Sequence, residues 1–461
     1  MVFLLSTQQT IAPTHPVSTH PQTSPSLSAG LNKSVAHFAR PSGSDLLART
    51  EPFLRWRAAR IEADVYPYFR TLLSEPGTYC SVANEIGVCR EGINFANTDY
   101  LSLSTHPAIR EAAINAIHTY GAHNPSSPIL QGNTGSSLEL EATLSEWLQT
   151  EHVVLFPTGW AAGFGTITAL VRPDDHIVMD NLAHACLQQG AQAATANIRR
   201  HTHLDLDEVV RHLQEIRATD TKNAILVISE GLFSMDSDYP DLKRLQGICR
   251  EYEATLMVDV AHDLGAMGPD GTGVIGLQEM LGEIDLVMGA FSKSFGTNGG
   301  FVATHSQAAK YYIKTFGGTH LFSTAISPIQ TSAALEAIRI IRSAEGQELR
   351  DRLMSNILML RSEFKSWGIE CLGDPTPIVP VPVGSEKVAR IVSSLLFEAG
   401  VFANLVEFPV VAVGAARFRM QVMAGHTPEQ LKTGAKTMKM AIEQAQEMLT
   451  SSGVAVVKAL A

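Results

Sequence analysis

Short apolar runs alternate with longer stretches whose apolar residues return at helical spacing over much of the chain. The runs of strand type are Val153–Phe156, His176–Asp180, Ala224–Ser229, Thr255–Asp259, Leu286–Gly289 and Phe301–Ala303. Ala224–Ser229 is continuously apolar, the mark of a strand buried on both faces. Strands alternating with helical patterns predict an α/β fold: a mostly parallel, doubly wound central sheet with helices on both faces. Upstream, Leu54, Trp56, Ile61, Val65, Tyr68 and Leu72 predict a packing helix within 51–75. A Gly/Asn/Pro/Ser loop from 121 leads to a helix carrying Leu138, Leu140, Leu144, Trp147 and Leu148. After about 335 the pattern changes to two helices (Ala333–Ser343 and Leu349–Trp367) and then short strands, including Ile378–Val383. The expected division is a tail (1–50), an N-terminal segment (51–110), a large domain (111–335) and a smaller α+β C-terminal domain (336–461).

Composition narrows the picture. The chain has 461 residues, 45% hydrophobic and 18% charged, enough for a large core and more than one domain. A net charge of −11 argues against nucleic acid as a main partner. Cys80, Cys89, Cys186, Cys249 and Cys371 are scattered, odd in number and without zinc-ligand spacing. No metal is therefore expected, and a reducing, cytoplasmic setting is. No apolar run approaches the ~20 residues of a membrane span, so no transmembrane segment is expected. Residues 2–5 are too short for a signal-peptide core. The first fifty residues are rich in Ser, Thr, Pro and His, a composition that reads as a disordered tail. That tail is poor in acids, as transit peptides are, but carries few arginines.

Candidate chemistry centres on Phe291-Ser-Lys-Ser-Phe-Gly. Lys293 sits between apolar strands, among small residues and without a charge partner nearby in sequence. Desolvation there lowers an amine's pKa and makes its neutral form a nucleophile toward a carbonyl. The glycines that follow (Gly296, Gly299, Gly300) let backbone approach a bulky group. A Schiff base with pyridoxal phosphate (PLP) is one reading, and a surface lysine on a glycine-rich turn fits the segment equally well. The upstream run Thr255–Asp259 tips the balance. It ends in Asp259, with His262 three residues on. Ligands in open α/β sheets bind at the carboxyl ends of strands. A PLP ring needs a carboxylate there to keep its nitrogen protonated. At Thr158-Gly159-Trp160 a strand runs into a helix N-terminus, an anion site suited to a phosphate.

With these motifs in place, the chain from about Asn94 to Pro428 resembles the α-oxoamine synthases of PLP fold type I. It is most similar to the serine palmitoyltransferase branch, on Gly268-Pro-Asp-Gly-Thr-Gly-Val, Phe291-Ser-Lys-Ser-Phe-Gly and Gly299-Gly300. Further matches are Asp180-Asn-Leu-Ala-His-Ala-Cys, Glu230-Gly-Leu-Phe-Ser-Met-Asp and Ala416-Arg-Phe-Arg followed by His426-Thr-Pro. The resemblance implies decarboxylative Claisen condensation of an amino acid with an acyl thioester, on CoA or a carrier protein, giving an α-amino ketone. It tilts the donor toward a long acyl chain.

It assigns Lys293, His184, Asp259 and His262 to catalysis. Gly159, Trp160, Ser234, Ser292, Ser323 and Thr324 join them in holding the cofactor, the last two across a homodimer interface. Arg419 would bind the amino-acid carboxylate, with Asn97 and Thr98 beside it. Glu230 and Asp236 are expected to organise their loop. Three positions depart from the pattern: Thr98 stands for an Asn, Ser137 for a His and Ala290 for a Thr. They keep three other readings open: a non-catalytic subunit of a heteromeric synthase, another fold-type-I reaction of aldolase or transaminase type, and a non-enzymic binding or scaffold protein.

Overall fold

A computed structural model describes residues 30–451. Strands β1 (Thr71–Leu72), β2 (Tyr79–Ala83) and β3 (Cys89–Phe95) come first. The middle of the chain supplies β4 (His152–Phe156), β5 (His176–Asp180), β6 (Ile198–His201), β7 (Ile225–Glu230), β8 (Thr255–Asp259), β9 (Leu286–Ala290) and β10 (Gly300–Thr304). The last are β11 (Ile378–Gly384), β12 (Val401–Val406) and β13 (Ala416–Gln421).

The middle strands form one seven-stranded sheet in the order β4-β10-β9-β8-β7-β5-β6. The pairs from β9 through β6 are parallel, and β10 runs antiparallel to both its neighbours. Every residue of β7 and β9 is buried, as the apolar runs require of a sheet covered on both faces. Two large clusters of buried side chains lie on its two sides. One includes Val227, Val258, Val287 and Phe301; the other includes Leu226, Ile228, Met257 and Met288. Alternate residues of one strand fall into opposite clusters, the period-2 geometry of a strand.

The second sheet has six strands in the order β1-β2-β3-β12-β13-β11. Its strands come from both ends of the described chain: β3 pairs in parallel with β12, Ile93 opposite Val401. The N-terminal segment is thus built into the sheet of the C-terminal part.

Two sequence expectations need correction. The helix within 51–75 stops early: it spans Glu51–Glu62. Asp64 follows with a left-handed φ of 53°, and the chain then runs through Pro67 into β1. A proline and a left-handed residue end a helix whatever the apolar spacing beyond them.

The second correction concerns the disordered tail expected over 1–50. Residues 1–29 lie outside the described residues, whereas 30–50 are docked. Leu31 is buried, and its carbonyl accepts from Arg390 Nη1. The Asn32 carbonyl accepts from Trp56 Nε1 at 3.1 Å, and that of Lys33 from Arg60 Nη2 at 2.8 Å. A segment poor in apolar residues is held here by side-chain donors satisfying its backbone carbonyls.

Candidate active site

The site grows from the carboxyl ends of three adjacent parallel strands. Register pairs Glu230 with Asp259, and Asp259 with Met288, so β7, β8 and β9 finish side by side. The backbone then leaves the sheet. Gly231 N–H donates to the Asp259 carbonyl at 2.7 Å, and Val260 N–H to that of Met288 at 2.8 Å. The buried Asp259 carboxylate accepts from Ala261 N–H at 2.9 Å. The same turn delivers His262, whose Nδ1 shares a hydrogen bond of 2.8 Å with the fully buried Tyr100 hydroxyl. Burial, helped by the cations of Lys293, Arg419 and His184, pushes His262 well below its ordinary pKa and holds the ring neutral.

Lys293 leaves β9 in a tight loop. Phe291 N–H donates to the Gly299 carbonyl at 3.0 Å, and Gly296 N–H to that of Lys293 at 3.0 Å. Gly296 has φ 62°, and a Cβ there would lie 2.7 Å from Ser104 Cα, so only glycine closes this turn. Burial lowers the pKa of the half-buried Lys293 amine. Asp259, Glu230 and Cys186 oppose that shift, and Arg419 adds to it. The charge partners missing from the local sequence are therefore brought in by neighbouring strands and helices. Glu230 is buried, and its Oε1 accepts from His184 N–H at 2.5 Å. Burial, with the Asp259 charge beside it, raises its carboxyl well above the carboxylate range.

His184 caps the helix Ala185–Ala194; its Nδ1 accepts from Cys186 N–H at 3.3 Å and lies 3.0 Å from Cys186 Sγ. The Trp160 ring meets it edge-on, centroids 6.0 Å apart. Burial and the Lys293 and Arg419 charges lower His184, against the pull of Asp259.

Gly159 and Trp160 open the helix Gly159–Leu170, which Thr158 caps by accepting Ala161 N–H at 3.0 Å. A Cβ on Gly159 would lie 2.5 Å from Ala290 Cβ, and one on Gly300 would lie 2.7 Å from Gly159 Cα. Three small residues thus let this helix start rest against the ends of β9 and β10. Its free N–H groups and positive dipole end stand there.

On β13, Arg417 and Arg419 share a face but not a task. Arg417 is spent on Asp236, with a further bond to the Met235 carbonyl at 3.1 Å. Arg419 donates through Nη1 to the Ser234 carbonyl at 3.3 Å, while its Nε is buried with no partner. A buried guanidinium with an unfilled donor, facing a buried amine and carboxylate, is arranged for a ligand carboxylate. The site fits a phosphorylated pyridine aldehyde. It offers an amine of lowered pKa, a carboxylate for the ring nitrogen and a helix N-terminus for the phosphate.

Comparison with known proteins agrees with this geometry. Residues 90–438 match the family model of aminotransferase class I and II. An 8-amino-7-oxononanoate synthase of Trichlorobacter lovleyi is 34% identical over 343 residues, 74% of this chain and 87% of the relative. One from a Marinomonas species is 35% identical over 338 residues, covering 73% and 82%. Among solved structures, that of SPT with its PLP internal aldimine superposes with TM-score 0.80 at 26% identity, covering 89% of this chain and all of the other. The serine palmitoyltransferase of Sphingomonas wittichii gives 0.80 at 25%, covering 88% and 100%.

The chain belongs to the aminotransferase class I and II family, as an α-oxoamine synthase. It has the fold-type-I architecture and takes PLP as cofactor. It catalyses decarboxylative C-acyl transfer from an acyl thioester to an amino acid.

The structure brings Lys293, Asp259, His262, His184, Gly159, Trp160, Ser234 and Arg419 to one place in this α-oxoamine synthase. Other expected site residues stand apart. Ser292 is exposed. Ser323 and Thr324 lie on a surface loop tied to its neighbour by Ser127 Oγ donating to the Leu321 carbonyl at 2.7 Å and Ala325 N–H to that of Ser126 at 3.0 Å. Asn97 donates to the Pro76 carbonyl at 2.9 Å and lines a different cavity, with Tyr68, Phe402 and Asn404. Thr98 is half-buried, its carbonyl accepting from Tyr100 N–H at 2.9 Å. Sequence reasoning missed Tyr100, the hydrogen-bond partner of His262. Its signal was a tyrosine in an otherwise polar Asn-Thr-Asp-Tyr turn. Among the described residues, no group of three or more His, Cys, Asp or Glu is placed to hold a metal, and no helix is long and apolar enough to cross a membrane.

Proposed function

We propose that Lys293 is the lysine that bonds the PLP aldehyde and that it then shuttles the α-proton of the amino acid. The observation that carries this reading is its amine, lowered by burial, in electrostatic reach of Asp259, Glu230 and Arg419. When bound, the protonated pyridine ring serves as the electron sink for a carbanion at the substrate α-carbon. Asp259 holds the proton on the ring nitrogen. His184 lies over the ring, and His262 and Ser234 donate toward its oxygen. Gly159, Trp160 and Ser292 take the phosphate. Arg419 fills its empty Nε with the amino-acid carboxylate, the group later lost as CO₂.

Ser323 and Thr324 complete the phosphate site of a second copy. Their exposure within one chain, beside a Phe322 that is 87% exposed, supports a homodimer with shared sites. The free state of all five cysteines supports a reducing, cytoplasmic compartment. The acyl donor is a CoA or carrier-protein thioester.

The test is an absorbance titration of PLP-loaded protein with glycine, alanine, serine and other amino acids, followed by CO₂ release with short- and long-chain acyl-CoA. A visible band lost in Lys293→Ala, shifted by one amino acid and followed by thioester-dependent CO₂ release, is the expected result. No lysine-dependent band at excess PLP refutes the reading, and CO₂ release without a thioester moves the reaction to another class.

A further inference from the structure

Behind the site lies an ion cluster that the proposed reaction does not use. His203 stands between two carboxylates. Its Nδ1 is 2.9 and 3.0 Å from the Asp180 oxygens, and its Nε2 is 3.0 and 3.2 Å from those of Asp238. An ionised carboxylate only accepts hydrogen bonds, so both ring nitrogens must donate. The geometry is that of an imidazolium. Burial works against the charge, but the bonds from Asp180 and Asp238 outweigh it and raise the ring to about 10.

The two carboxylates belong to different parts of the site. Asp180 ends β5, is buried, and also accepts Leu182 N–H at 2.8 Å and Leu204 N–H at 3.0 Å. It thereby shapes the turn that delivers His184. Asp238 closes the loop after β7. Its carbonyl accepts Phe233 N–H at 2.9 Å, and the Phe233 ring stands edge-on to His203 with centroids 4.6 Å apart.

The same loop carries Ser234, whose carbonyl holds Arg419, and Asp236, which holds Arg417. Ser237 anchors it to the second sheet, with Oγ donating to the Ile378 carbonyl at 2.7 Å and its own carbonyl accepting Asp374 N–H at 2.7 Å. The loop is therefore fastened to the Arg419 side by several bonds and to the His184 side through His203.

We propose that His203 is a positioning residue that fixes the spacing between His184 and Arg419, and so sets the grip on the substrate carboxylate. This rests on the reading that Arg419 and His184 bind that carboxylate. Other ionisable groups facing the cluster are His201, with Nδ1 4.0 Å from Asp180, and Glu230, whose carboxyl Asp180 helps to raise. Glu208 faces away, accepting Thr202 N–H at 2.7 Å.

The test uses the PLP-loaded enzyme with Asp238→Asn, which keeps an acceptor but removes one charge, with His203→Asn as a second variant. In wild type the His203 ring should stay doubly protonated to about pH 9 by NMR, and the amino-acid KM should be flat from pH 7 to 9. In Asp238→Asn the amino-acid KM should rise roughly tenfold, the scale of one charge-assisted bond, and climb further with pH as His203 loses its proton. The kcat and the thioester KM should stay within about twofold, since the reacting atoms are untouched. Arg419→Lys is the control and should raise the amino-acid KM at least as much.

If Arg419→Lys leaves that KM unchanged, the underlying carboxylate reading fails. If Arg419→Lys raises it but neither His203-cluster variant does, the positioning role alone is overturned. A His203 ring that titrates below pH 7 in wild type, or variants that change only melting temperature, also overturns it.

Discussion

Gly159→Ala tests whether the helix start must touch the end of β9 for the cofactor phosphate to be held. The new methyl carbon would lie 2.5 Å from Ala290 Cβ and 3.4 Å from Ala290 Cα. Methyl carbons rest ~3.5–4.0 Å apart, so the two must separate by about an ångström. Ala290 cannot recede, because β9 is paired on one side with β8 and on the other with β10. The helix start has to lift. Overpacking of this kind costs ~1–3 kcal/mol, while a Gly→Ala change within a helix returns up to ~1 kcal/mol. Net stability should therefore fall by no more than about 2 kcal/mol.

Cofactor binding should suffer more. An N–H moved by about an ångström from a charged phosphate forfeits a hydrogen bond worth ~1.5–3 kcal/mol, a roughly 10–150-fold weaker PLP affinity. The assay is titration of cofactor-stripped protein with PLP, read by the lysine-dependent visible band, beside a thermal melt. Adding Ala290→Gly to the variant removes the opposing methyl and should restore most of the affinity, a coupling that a double-mutant cycle isolates. Wild-type affinity in Gly159→Ala, or no recovery in the double variant, would refute the argument.

Two further outcomes follow from buried charges. Asp263 is fully buried, with Oδ2 on Val274 N–H at 2.7 Å and Oδ1 unpartnered, and burial raises its pKa to about 7. The folded pKa exceeds the unfolded one, so stability is greatest below about pH 4 for this group and falls as pH climbs to about 7, by on the order of 3–4 kcal/mol. Asp263→Asn should flatten that slope between pH 5 and 8 in urea unfolding; an unchanged slope refutes it. Glu407 lies buried between Arg390, at 2.7 Å, and Arg60, at 3.6 Å. Glu407→Ala leaves two buried guanidinium groups without a counter-charge and should cost ~3–5 kcal/mol, measured by chemical denaturation. A loss below ~1 kcal/mol would show that the cluster does not secure the segment around Leu31.

The legible parts were those written locally. Thr255–Asp259 is an apolar run ending in a carboxylate, and strand geometry alone puts that carboxylate at a ligand-binding edge. Lys293 was visible for the same reason. What was not legible depends on partners far along the chain. Nothing near Cys89–Phe95 says that it lies beside Val401–Val406, because a parallel pairing across some three hundred residues leaves no local trace. The docking of 30–34 was hidden likewise. Its own residues look like a tail, and the donors that fix it are Trp56, Arg60 and Arg390. The overrun of the helix past Glu62 had a local warning in Pro67, which helical spacing outweighed in the reading.

The departures from the family pattern bear on whether the site is competent, and the structure gives two of them local explanations. Ser137 closes a capping box with Thr134: Thr134 N–H donates to Ser137 Oγ at 2.8 Å, and Ser137 N–H to Thr134 Oγ1 at 3.2 Å. A serine there starts the helix Gly135–Leu148, a demand independent of the cofactor. Ala290 fills the space opposite Gly159, so its methyl belongs to the contact that seats the phosphate-binding helix start. A subunit that had lost catalysis would have no need to keep an amine, a carboxylate and an unpaired guanidinium together, since each costs desolvation free energy that only a ligand repays. Lys293, Asp259 and the vacant Arg419 Nε remain in place despite that cost. The substitutions therefore fall on residues that shape the backbone around the site, and the groups that would touch cofactor and substrate are present together.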